Sequence, residues 1–146
     1  MSYTTLVDTA TLEAALGARD LAIVDVRYDL ADHSAGRRLY LASHLPGAVY
    51  ADLGEDLAAT PGGGRGRHPL PSVERLVDVF SRLGIGPSTQ VVAYDAADGM
   101  YAARLWWLLK YLGHDAVAVL DGGFAKWTAE ARPTAPGNES ATPAAF

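Results

Sequence analysis

The sequence predicts one α/β domain built on a mostly parallel sheet. Short apolar runs recur at Leu21 to Arg27 (LAIVDVR), Val91 to Tyr94 (VVAY) and Val117 to Leu120 (VAVL). Continuous runs of this length fit parallel strands buried on both faces. Helical patterns lie between them, with Val73, Leu76, Val77 and Phe80 at i, i+3, i+4 and i+7. Strands alternating with helices define the class. A length of 146 residues, 49% hydrophobic and 20% charged, suits a single domain with a sizeable core.

The elements follow in chain order. Leu12, Ala15 and Leu16 give a small apolar helix face with Asp8 or Thr9 as cap. Asp29 to Ser43, holding Arg37 and Arg38, reads as irregular, and Thr60 to Pro71 (TPGGGRGRHPLP) as a glycine-rich surface loop. Ser72 caps the helix over Val73 to Phe80 and Gly84 stops it. From Ala102 to Leu112 only Arg104 and Lys110 are charged, which predicts a helix buried on more than one side. The domain is expected to span 1–130. Residues 131–146, rich in Pro, Ala and small polar residues, read as a linker leading onward.

Composition narrows the function classes. A net charge of −5 argues against a nucleic-acid groove or an anionic membrane surface as partner. The chain has no cysteine, so it cannot itself supply thiol catalysis or a thiolate metal site. No apolar stretch approaches the roughly 20 residues needed to span a bilayer, and the first residues lack a signal-peptide pattern; the expected location is the cytoplasm. His33 and His114 lack metal-ligand spacing, and neither a metal nor a cofactor is expected.

The most informative stretch is VVAYDAADGMYAARLWWLLKYLGH, Val91 to His114. Strand, loop and helix in that order aim backbone N–H groups into the loop, a cradle suited to anions and activated nucleophiles. Yet Asp95 stands where a reactive group is expected. The loop Asp95, Ala96, Ala97, Asp98, Gly99, Met100 and Tyr101 therefore reads as a cradle filled by its own side chain. Asp95 accepts loop N–H bonds, Asp98 caps the helix, and two carboxylates repel an anionic substrate. Phosphoryl transfer to Asp95 is a lesser reading, because its partner acid Asp98 stands three residues away rather than two. Asp121, Gly122 and Gly123 form a turn that needs positive φ, with Asp121 as cap. The adjacent Trp106 and Trp107 point in different directions, one toward the core and one free for an interface. Trp127 is expected to anchor the last helix. Arg65, Arg67 and His68 read as a solvated loop, with contact to an anion as the second reading.

In combination these motifs resemble the rhodanese domain, and specifically the first domain of tandem thiosulfate or 3-mercaptopyruvate sulfurtransferases. The resemblance rests on Asp25 and Arg27 in LAIVDVRYDL, on His44 to Ala48 in SHLPGAVYADL, on the Tyr-Asp, Ala-Arg and Trp-Trp elements of the central stretch (Asp95, Arg104, Trp106, Trp107), and on Leu-Asp-Gly-Gly before Trp127. It implies a central, mostly parallel five-stranded sheet flanked by helices on both faces. It also implies that Asp95 replaces the cysteine that carries the persulfide in the second domain. The chain would then be catalytically silent, its partner a C-terminal catalytic rhodanese domain in the same polypeptide that handles a small sulfur donor. His44 either fixes a turn or supports proton transfer at the partner's loop, oriented by Asp32 or Asp29. The alternative is a stand-alone, inactive module for protein binding or regulation.

Overall fold

The computed structural model describes residues 2–146. Its elements are β1 (Leu6–Val7), α1 (Thr9–Ala15), β2 (Leu21–Asp25), α2 (Ala35–Ala42), β3 (Val49–Tyr50), α3 (Val73–Arg82), β4 (Gln90–Tyr94), α4 (Ala102–Tyr111), β5 (Val117–Leu120) and α5 (Gly123–Ala129). The five strands form one sheet in the order β1-β5-β4-β2-β3, with every pairing parallel. Side chains alternate across the pleat. Val91 and Ala93 of β4 join Leu76, Val79 and Phe80 of α3 and Leu105, Leu108 and Leu109 of α4 in one core. Val92 and Tyr94 face Leu12 of α1, Tyr40 of α2 and Trp127 of α5 in the other.

Local chemistry explains the starts of α1 and α3. Asp8 caps α1 by accepting from the Thr11 N–H at 2.7 Å, and Ser72 caps α3 by accepting from the Arg75 N–H at 3.2 Å. Two expectations are corrected. The stretch Asp29 to Ser43 contains α2 rather than being irregular throughout. Its buried face is narrow, Gly36 and Tyr40, because Gly36 passes so close to the Arg27 carbonyl that an added Cβ would lie 1.9 Å from the oxygen. A glycine at the contact removes the apolar signal by which a helix is read. The helix α4, expected to be buried on more than one side, buries Ala102, Leu105, Leu108 and Leu109 and leaves one side open, where Trp107 and Tyr111 are each 47% exposed and stack on one another, ring centroids 5.2 Å apart. Finally, Asp121 does not cap α5; Gly122 takes the cap position at φ 84°.

The segment 131–146 is seated against the domain instead of standing free. His44 and Ala135 exchange backbone hydrogen bonds of 2.9 and 2.8 Å. Gly84, at φ 79°, leaves room for Ala141, whose Cβ would lie 2.8 Å from a Cβ added there. The Ala144 N–H donates to the Ser81 carbonyl, and the Phe146 ring packs on Phe80 and His114.

The chain leaves β2 toward β3 at one edge and leaves β4 toward β5 on the other side, so the connections diverge between β2 and β4. Open parallel sheets bind ligands at the carboxyl ends of such a strand pair. Here the gap is filled from within. Asp25 ends β2, fully buried, and Arg27 closes on it through Nε at 3.0 Å and Nη2 at 2.6 Å. The Tyr94 hydroxyl at the end of β4 donates to the same carboxylate at 2.8 Å. Arg27 also donates to the Ser43 carbonyl and lies over the Phe124 ring, 4.0 Å from its centroid. Burial, then the Asp25 charge, push the Tyr94 phenol far up, so it remains a donor.

Removing one partner of a buried ion pair leaves an uncompensated charge. Arg27→Met is expected to cost about 3–5 kcal/mol of folding stability, read by urea denaturation. A loss well under 1 kcal/mol would show that the pair does not join β2, β4 and α5.

Candidate functional site

The candidate site is the loop between β4 and α4 together with the surface beside it. Asp95 leaves β4 with its carboxylate 1% exposed and turned back under the loop. One oxygen accepts from the Gly99 N–H at 3.0 Å; the other accepts from the Tyr101 and Ala102 N–H groups, both at 3.0 Å. The Tyr101 and Ala102 amides stand at the start of α4 and the Gly99 amide in the loop before it, so the cradle is occupied by a covalently attached anion. Asp98, expected as helix cap, only accepts from Met100 at 3.3 Å. The capping falls to Asp95.

The Asp121–Gly123 turn underlies this loop. Gly123 at φ 59° lets the backbones touch: its Cβ position lies 2.7 Å from the Asp95 carbonyl and 3.0 Å from the Ala97 nitrogen. The Phe124 and Ala125 amides then donate to the Asp95 and Ala96 carbonyls at 2.9 and 2.8 Å. Arg104, in the first turn of α4, donates to the carbonyls of Leu57, His68 and Pro69 and so ties the glycine-rich loop to the helix.

The electrostatics at the loop are acidic. Burial raises the Tyr101 phenol, and Asp29, Asp98 and Asp95 raise it further. A thiolate or a bound oxyanion would meet the same field. Tyr28, beside the loop, touches Tyr101, His33 and His68 with ring centroids 5.7, 5.6 and 5.9 Å away. This aromatic surface escaped the sequence reading, since its members come from three separate segments and carry no motif.

His44 is fully buried and stacked on Tyr40. Its Nδ1 lies 2.8 Å from the Tyr40 carbonyl and its Nε2 2.5 Å from the Glu139 carboxylate. Neither expected orienter reaches it. Asp32 pairs with Arg38 and Asp29 accepts from the Ala31 N–H, both held within their own turn; Glu139 of the C-terminal segment takes the place. Trp106 is half-buried and donates to the Thr4 carbonyl at 2.9 Å, whereas Trp107 faces outward. Trp127 is fully buried, its indole N–H on the Pro133 carbonyl. Among the described residues no group of three or more His, Cys, Asp or Glu is placed to hold a metal ion, and no helix is long and apolar enough to cross a membrane.

Gly123→Ala combines an unfavourable φ with a backbone clash, and is expected to cost roughly 2–4 kcal/mol and to shift the Gly99, Tyr101 and Ala102 amide resonances. Unchanged stability and unchanged resonances would show that the loop does not rest on this turn.

Comparison with known proteins places the chain. The family model for the rhodanese-like domain matches residues 8–130. A Pseudomonas aeruginosa protein named "Probable 3-mercaptopyruvate sulfurtransferase" is 43% identical over the whole chain, which covers 52% of that relative. Human 3-mercaptopyruvate sulfurtransferase is 38% identical over 75% of this chain and 37% of its own length. The 3-mercaptopyruvate sulfurtransferase of Leishmania major superposes with a TM-score of 0.85 at 30% identity, over 96% of this chain and 38% of that one. The chain thus spans about half or less of these relatives. With the sheet, its helices and this match over most of its length, the chain belongs to the rhodanese-like domain family.

Proposed function

We propose that the chain is the N-terminal, catalytically silent half of a tandem thiosulfate or 3-mercaptopyruvate sulfurtransferase, supporting sulfane-sulfur transfer by a cysteine in a C-terminal domain. The observation that carries this reading is the Asp95 carboxylate held by three loop amides. A cradle of that form stabilises a thiolate when a cysteine stands at the strand end. Here it stabilises a carboxylate, and the chain has no cysteine to replace it. The relatives' names and their greater length support a second domain in the same polypeptide.

In this reading His44 is a structural residue. Both ring nitrogens are engaged inside the domain, one with a backbone carbonyl and one with Glu139, which leaves neither for a proton relay. Residues 131–146 serve as the connection, held against the domain before the chain continues. The exposed Trp107–Tyr111 stack supports the alternative of a binding module, since apolar surface of this kind marks protein contacts. The relatives' length favours the tandem enzyme.

The isolated chain is expected to transfer no sulfur from thiosulfate or 3-mercaptopyruvate to cyanide; measurable turnover would contradict the reading. Asp95→Cys alone is expected to remain a poor catalyst. Asp98 stays beside the thiol, and the loop from Asp95 to Tyr101 contains no Arg or Lys to hold an anionic donor. A stable persulfide on that variant with efficient turnover would overturn the electrostatic account of the loop.

A further inference from the structure

Beside the Asp95 loop lies a cleft of about 260 Å³ lined by Tyr28, His33, Asp52, Glu55, Arg67 and His68, among others. It differs from the neighbouring surface in how many polar ends it leaves unspent. Arg65, Arg75 and Arg104, on the same loop and the adjoining helices, are each committed to backbone carbonyls. Among the described residues, by contrast, the Arg67 guanidinium, the Glu55 carboxylate, the Tyr28 hydroxyl and the rings of His33 and His68 make no side-chain hydrogen bond, and all five residues line this one space. One Asp52 oxygen is taken by the Gly54 and Glu55 amides at 2.8 and 2.9 Å.

The two signs of charge come from different segments. Arg67 and His68 belong to the glycine-rich loop; Asp52 and Glu55 belong to the turn after β3. Both signs act on the aromatic groups of the cleft. After burial, the charges of Arg104, Arg67 and His33 depress the His68 imidazole, and that of Asp52 opposes them. After burial, those that raise the Tyr28 phenol include Asp52 and Glu55. Groups of both signs and an aromatic wall thus line one cleft. A simple anion would meet Glu55 and Asp52, and a simple cation would meet Arg67. A ligand with both charges a few ångströms apart satisfies both, its ammonium also gaining from the ring face and its carboxylate from a guanidinium fork.

We propose that this cleft binds a small zwitterion of the α-amino-acid class, with its carboxylate on Arg67 and its ammonium on Glu55 and Asp52 against the Tyr28 ring. The space exceeds what several waters fill and is smaller than a drug-sized site, which suits a ligand of that size. The proposal stands apart from the question of sulfur transfer, because binding is measured on the chain alone.

The test is an NMR titration of the full chain with L-alanine, following the ring signals of His33 and His68. Saturable shifts are expected. N-acetyl-L-alanine, which lacks the ammonium, and L-alaninamide, which lacks the carboxylate, should each bind at least about fivefold more weakly. Arg67 and Glu55 are exposed, so substitutions there leave the fold intact. Arg67→Gln should weaken L-alanine about fivefold and leave L-alaninamide unchanged. Glu55→Gln should weaken L-alanine and leave N-acetyl-L-alanine unchanged. No saturable shift with L-alanine overturns the proposal. So does equal binding of either analogue, which would indicate a site for one charge only, or weakening of all three compounds by Arg67→Gln.

Discussion

The hydrogen bonds from Gly99, Tyr101 and Ala102 to Asp95 decide what the carboxyl edge of this sheet can do. A parallel sheet collects helix N-termini at that edge, and their free amides need acceptors and favour negative charge. Many α/β proteins leave the requirement to a substrate or to an activated nucleophile. This chain meets it with its own carboxylate, one residue past β4 and out of contact with water. The strand-to-helix geometry survives because the carboxylate satisfies the amides.

The neighbouring strand repeats the solution. Asp25 at the end of β2 accepts from Arg27 and Tyr94, so the gap between β2 and β4 is closed by side chains of the chain itself. A buried ion pair is weak evidence of net stabilisation, since desolvation offsets much of its Coulomb energy. Its consequence here is geometric: Arg27 reaches Ser43 ahead of the His44 turn and lies on Phe124 in α5. The two acids therefore tie both helical layers to the sheet ends and leave the Tyr28 surface beside them as the accessible part of this edge.

What could be read in the sequence follows from the range of the interactions. The three long strands, α3 with its Ser72 cap and the occupied Asp95 cradle all depend on residues close together in the chain, and each was legible. β1 and β3 are two residues each, too short for a periodic signal and defined only by pairing. α2 was hidden by Gly36, whose task is to let a helix approach the Arg27 carbonyl. The seat of residues 131–146 depends on Glu139 meeting His44 and on Ala141 meeting Gly84, contacts across much of the chain; composition alone showed only small and polar residues. The cleft at Tyr28 was invisible for the same reason, although Arg67 and His68 had been singled out by residue type.

The central claim is that the loop cradle is closed to outside anions because Asp95 occupies it. The most direct measurement is a thiosulfate titration of the native chain at neutral pH, following the amide resonances of Gly99, Tyr101 and Ala102. The account predicts that these three amides do not move, and that they respond to thiosulfate in Asp95→Ala, where the carboxylate has been removed. Saturable shifts of the same amides in the native chain would show an open anion site at the end of β4 and contradict the account.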